Sequence, residues 1–230
     1  MESRSKIGGM RDSLAVVLIV VIVAAAGIGL AALTHPKAGL SETTTSTASV
    51  GLNEVTLRSN VSLGLQLVAT IKPIQASLGQ NISVVAQVYN TLSTSVNVTT
   101  DSMGNPAFGP CQQRLATAVN VYSGNYSYGA LFNNRSQPAR LLLYDPSLAY
   151  TCPEVFSFNY SFSPNSDIAL VQPDGPKGTA GPVNETSVLT GYWTGSGQNY
   201  TYKEFPPGTY TIVVFAAWGQ KVIGYFRVTS

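Results

Sequence analysis

From Gly51 to the C-terminus, apolar and polar residues alternate with a period of two. Val61, Leu63, Leu65, Leu67, Ala69 and Ile71 alternate with smaller or polar residues, which predicts one strand from Val61 to Ile71. Lys72-Pro73 and Leu78-Gly79-Gln80 interrupt the pattern. Ile82, Val84, Ala86 and Val88 then alternate against Asn81, Ser83 and Gln87 in a second strand, and Val96–Thr99 predicts a third. Arg114–Tyr122 and Tyr126–Phe132 flank Ser123-Gly124-Asn125 and predict a hairpin. The clearest alternation sets Phe156, Phe158, Tyr160 and Phe162 against Ser157, Asn159 and Ser161, one face aromatic and the other wet. Ile168–Val171, Val188–Trp193, Thr209–Ala217 and Val222–Val228 complete the set. No stretch of this part repeats at 3.6 residues. The expected class is all-β, and many short strands divided by Gly/Pro turns indicate a two-sheet sandwich.

Before Gly51 the pattern is different. Leu14–Leu33 is twenty residues without a charge, amide or hydroxyl. As a helix it would be about 30 Å long, close to the hydrocarbon thickness of a bilayer. Arg4, Lys6 and Arg11 precede it, and only His35 and Lys37 follow closely. The positive-inside bias therefore puts the N-terminus in the cytoplasm and the rest outside. Two other fates compete with a permanent anchor. A secretory signal has an apolar core of about 7–15 residues and a small-residue exit site, and Ala24-Ala25-Ala26 or Ala31-Ala32 supplies the site. A pilin-type leader would be cut near Lys6-Ile7-Gly8-Gly9-Met10, although Arg11-Asp12 stands between those glycines and the helix. The length favours the anchor. Thr34–Val50 is a hydroxyl-rich linker that suits an O-glycosylated stalk or a plain spacer. The expected organisation is a tail at 1–13, a transmembrane helix at 14–33, a linker at 34–50 and one extracellular domain at 51–230.

Charge removes whole classes of partner. Charged residues are 10% of the chain, against about 25% in typical soluble proteins. The net +2 comes from residues before Ala38, so the exported part is formally neutral and has no basic field for nucleic acid. Cys111 and Cys152 both follow the apolar run, and in an exported domain a disulfide is the expected state. His35 is the only histidine and lies in the linker. The domain therefore offers no His-dependent triad and no His-liganded zinc or copper, and no metal or cofactor is expected. Asp145, Glu154, Asp167, Asp174, Glu185 and Glu204 could supply a glycosidase pair. Most of them fall in predicted turns, where a solvated acid is the ordinary outcome, so no enzymatic activity is expected.

The strongest motif signal is Asn-x-Ser/Thr, at Asn60, Asn81, Asn97, Asn125, Asn134, Asn159, Asn184 and Asn199. All eight lie beyond the apolar run, as glycan acceptors on an exported domain would. Tyr192, Trp193, Tyr200 and Tyr202 bracket Gly195–Gln198 and form a candidate ligand site, where rings could stack on a sugar or else fill the core. The run Phe205-Pro206-Pro207-Gly208-Thr209-Tyr210-Thr211-Ile212-Val213-Val214 resembles the start of the penultimate strand in many extracellular immunoglobulin-like modules. That resemblance implies an immunoglobulin-like sandwich in which the tyrosine anchors a corner. With the anchor, the hydroxylated stalk and the sequons, the chain resembles membrane-anchored surface proteins of archaea. The expected role is a glycosylated structural or interaction protein at the cell surface, with a carbohydrate or protein partner. A sugar- or peptide-binding module and a filament subunit that donates a strand to its neighbour are the alternatives.

Overall fold

In the computed structural model the described residues are 47–100, 116–133, 137–148, 158–173, 179–197 and 199–230. The apolar run 14–33, both cysteines, Asn134, Phe156, Glu154 and Asp174 lie outside them. Within them the chain is built almost wholly of strands: β1 (Thr47–Gly51), β2 (Glu54–Arg58), β3 (Leu65–Lys72), β4 (Gln75–Ser77), β5 (Ile82–Asn90), β6 (Val96–Thr99), β7 (Thr117–Ser123), β8 (Phe158–Phe162), β9 (Ile168–Pro173), β10 (Thr179–Pro182), β11 (Asn184–Leu189), β12 (Gly191–Ser196), β13 (Asn199–Glu204), β14 (Gly208–Ala216) and β15 (Lys221–Thr229).

The period-two pattern decides which face of each strand is dry. Leu65, Leu67, Ala69 and Ile71 on β3, and Ile82, Val84, Ala86 and Val88 on β5, are almost completely buried. They belong to the sheet β1-β2-β3-β5-β11. Facing them are Tyr210, Ile212 and Val214 of β14, Val222, Phe226 and Val228 of β15 and Val121 of β7, from the sheet β4-β15-β14-β7, in one continuous core. The sheets meet closely at Gly224 of β15, where a Cβ would lie 2.4 Å from Ile71 Cδ1 and 2.8 Å from Leu57 Cδ1. A third sheet, β10-β9-β8-β6, adds Tyr160 and Phe162, whose rings meet Trp218 edge-on at 5.3 and 5.5 Å. The all-β class expected from the pattern is therefore present, but among the described residues the strands form four sheets, the fourth being the β12-β13 pair, rather than the two expected.

Four local expectations change. The predicted strand 61–71 begins only at Leu65, because Ser62 and Leu65 exchange both backbone hydrogen bonds at 2.9 Å around a two-residue turn. Leu63 and Gly64 fill that turn with φ of +54° and +77°. Residues 126–132 do not pair with β7. Instead Tyr128–Phe132 forms a short helix (α1) that sets Leu131 and Phe132 on Ala118, Val213 and Phe215, the outer face of β7 and β14. That cover explains why β14 is buried on both faces. Val188 and Trp193, read as one strand, belong to β11 and β12, which part at Thr190. Finally, 47–50, read as the end of the linker, pair with 55–58 as β1 on β2.

Hydrogen-bonding side chains tie the loops at one end of the sandwich. Asn90, fully buried, donates from Nδ2 to the carbonyls of Thr94 and Ser163, both at 2.9 Å, and accepts from Leu92 N–H at 2.9 Å. Gln220 Nε2 donates to the carbonyls of Ser62 and Leu65 at 3.1 and 3.2 Å. At the other end the Tyr210 hydroxyl donates to Pro206 C=O at 2.7 Å, so the tyrosine of the Pro-Gly-x-Tyr run does anchor a corner.

Candidate functional site

The sequon asparagines come out on the surface. Asn60, Asn81, Asn97, Asn125, Asn159, Asn184 and Asn199 are all exposed. The two buried asparagines among the described residues, Asn90 and Asn120, lie in no sequon. On the outer face of β6 and β8 two sequons interlock. Asn97 stands opposite Ser161 and Thr99 opposite Asn159, and Thr99 Oγ1 donates to Asn159 Oδ1 at 2.6 Å. The cysteine pair and Asn134 lie outside the described residues. Among those residues no helix is long and apolar enough to cross a membrane.

The aromatic group does not assemble as four. In the β12–β13 hairpin Trp193 pairs with Tyr202 and Gly195 with Tyr200, so these three rings share one face. Tyr192 turns the other way, onto the core, with its ring 5.9 Å from that of Phe205. Trp193 and Tyr202 meet edge-on at 5.6 Å and 65°, not as a flat shelf. The Tyr202 hydroxyl is hydrogen-bonded to Thr190 Oγ1. Trp193 N–H donates to Leu142 C=O at 2.7 Å, so the hairpin is fastened to the segment before Tyr144. The two strands are pressed together at Gly195, where a Cβ would come 2.0 Å from Asn199 O.

One recess among the described residues is not revealed by the sequence pattern. It has a volume of about 340 Å³ and lies between β7 and β11. Each is the last strand of its sheet. Asn120, Arg140, Leu143, Tyr144, Glu185 and Leu189 line it. Arg140 donates to Asn120 Oδ1 at 3.2 Å, and Thr117 Oγ1 donates to Glu185 Oε2 at 3.0 Å. Glu185 stands opposite Ala86 of β5, and hence on the inner face of β11. Burial raises its carboxyl pKa, with the Thr117 hydrogen bond pulling weakly the other way. Burial also raises Tyr122, partly offset by the Arg140 charge and Asn120. The nearby Tyr160 is pushed up to about 12, first by burial and then by the Glu185 charge. The recess thus offers a cation at the rim and an acid inside, beside two strand edges. The missed signal was Asn184-Glu185-Thr186-Ser187-Val188-Leu189, in which the inward positions are Glu185, Ser187 and Leu189 while Val188 faces outward.

Of the candidate acids among the described residues, Asp145 follows the Arg140–Leu143 segment, Asp167 precedes β9, Glu185 lies on β11 and Glu204 ends β13. Asp145 accepts from Ser147 N–H and Oγ, an ordinary turn arrangement. Among the described residues no three His, Cys, Asp or Glu side chains are grouped to hold a metal. Compared with protein families, curated proteins and solved structures, the chain matches none.

Proposed function

We propose that this chain is a single-pass surface protein that displays one glycosylated, immunoglobulin-like β-sandwich outside the cell. Residues 14–33 anchor it, with 1–13 in the cytoplasm and Cys111 bridged to Cys152. The supporting observation is the division among its asparagines: every described sequon asparagine reaches solvent, while both buried asparagines fall outside sequons. The Tyr210–Pro206 corner supports the immunoglobulin-like assignment. Its work is structural or adhesive, without a catalytic step.

Expression in a host that glycosylates exported proteins, followed by alkaline washing of membranes and mass mapping of glycopeptides, tests this reading. The full chain should stay with the membranes and carry sugar on several of the exposed sequons. A soluble product beginning near residue 33 would replace anchoring with secretion, and eight unmodified sequons would remove the glycoprotein reading. A second reading, binding of an extended peptide or a carbohydrate, draws on the recess between β7 and β11. For the filament alternative the strand at Val61–Ile71 would have to be free to leave, whereas β3 is paired with β2 on one side and β5 on the other.

A further inference from the structure

The loops at one pole of the sandwich carry no charge, although Arg58, Asp167 and Lys221 stand at their ends, and it is the pole where the chain arrives. The loops at 59–64, 90–95, 163–166 and 217–220 lie there, tied together by Asn90 and Gln220. Thr91 N–H adds a hydrogen bond to Gly64 C=O at 2.8 Å, and Asn165 N–H one to Leu92 C=O at 2.9 Å. None of these twenty residues carries a charge. Val61, Leu63 and Leu92 nevertheless expose 50%, 56% and 44% of their surface. The two leucines belong to one patch: Leu92 lies over Gly64, so closely that a Cβ there would meet Leu92 Cδ1 at 2.6 Å.

Leu63 is also the wrong residue for its backbone. Two consecutive positive φ values make a turn that favours Asn, Asp or Gly at the first position. A leucine there is both strained and wet, and neither folding nor solubility explains its presence.

Thr47 pairs with Arg58, so the chain enters β1 beside the 59–64 loop. Thirteen residues, 34–46, separate β1 from the apolar run. They span at most about 45 Å even if fully extended. The opposite pole also exposes apolar side chains, Leu52 and Leu78, and has an ion pair and a carboxylate beside them. Glu54 and Lys72 pair at 3.5 Å there, and the Glu204 carboxylate packs beside Gly79.

We propose that the Val61–Leu63–Leu92 pole rests on the bilayer that residues 14–33 span, with these side chains in the head-group layer; this rests on the anchored reading above. Three apolar side chains are too few to hold a free domain on lipid. A tether makes the contact intramolecular, so a weak interaction suffices. The loops themselves carry no ion to desolvate, and the nearby exposed Arg58 can keep its charged head in the polar layer.

The test uses the full chain reconstituted in phosphatidylcholine vesicles whose acyl chains carry bromine just below the head groups. Leu63→Trp, Leu92→Trp and, at the far pole, Leu52→Trp are each compared with the parent, which supplies the Trp193 and Trp218 background. Added quenching at least twofold greater for the first two than for Leu52→Trp is expected. Equal quenching at both poles, or none at either in vesicles that retain the protein through an alkaline wash, would overturn the proposal while leaving the anchor intact. Loss of the protein in that wash would overturn the anchor and this inference together. A glycan mapped to Asn60 on protein from its own membranes would overturn the inference alone, because a sugar there would hold the pole away from the lipid.

Discussion

Leu63 holds a backbone conformation, φ +54°, that costs an L-residue with a bulky side chain roughly 1–2 kcal/mol, whereas Asn visits it routinely. Leu63→Asn should therefore stabilise the folded domain by about 1 kcal/mol, read as a raised midpoint in chemical denaturation. An unchanged or lowered midpoint would mean that the turn is not strained. Glu185 presents the converse case, an acid placed where its charge is unwelcome. Burial holds its folded-state pKa above the ordinary carboxylate value. The neutral form is thus favoured by folding, and the stability it confers is present at low pH and is lost as pH rises through the raised value. Glu185→Gln should raise the melting temperature at pH 7 and make little difference below about pH 4, where the parent carboxyl is also neutral. Equal melting shifts at both pH values would assign the effect to packing. At this scale the sequence exposed the sequons plainly, because an exposed asparagine needs no partner to be recognised. It concealed Leu63, whose place in the alternation is identical to that of Leu65; the adjoining Gly64 was the one available warning.

Among the elements, the loop clamp and the corner carry the sharpest expectations. Asn90→Leu removes two donors and one acceptor from the carbonyls of Thr94 and Ser163 and the N–H of Leu92. These three bonds are part-buried and each contributes about 0.5–1.5 kcal/mol, so a loss of about 3 kcal/mol is expected in equilibrium unfolding. A loss below about 0.5 kcal/mol, well inside the scatter of surface substitutions, would show that other contacts hold these loops. Tyr210→Phe deletes only the hydroxyl bond to Pro206 and should cost about 1 kcal/mol. Burial, followed by the charge of Tyr192, pushes the Tyr210 pKa to about 12. Its phenol should thus ionise later than an exposed one in an alkaline absorbance titration, and the stability it lends should fade between about pH 10 and 12. Strands β3, β5, β14 and β15 were legible because each has one dry face or two, and burial acts on every second residue. Residues 126–132 were not: Tyr, Gly, Ala, Leu and Phe suit a strand or a helix, and the choice fell to Val213 and Phe215 on the sheet beneath, which needed covering. Likewise β11 conceals itself, since an edge strand with an inward glutamate inverts the usual pattern. Inward charge of this kind also discourages edge-to-edge association.

For the molecule as a whole, the proposed Cys111–Cys152 bridge yields a direct expectation. Closing a loop of about forty residues stabilises by about 4 kcal/mol in the chain-entropy account. Reducing agent should lower the melting temperature of the parent by several degrees and leave a Cys111→Ser/Cys152→Ser variant unchanged; an insensitive parent would remove the bridge. The sequence alone determined the all-β class, most strand positions, the neutral charge of residues 38–230 and the surface placement of the sequons among the described residues. These follow from local rules, either period two against a dry face or the solubility of a single side chain. Only the tertiary structure decided that Tyr192 leaves its aromatic neighbours for the core, that β7 and β11 end their sheets around a shared recess, and that Val61, Leu63 and Leu92 gather where the chain enters. Each of these depends on which strands become neighbours, and pairing between residues far apart in the chain leaves no mark in the periodicity of either partner.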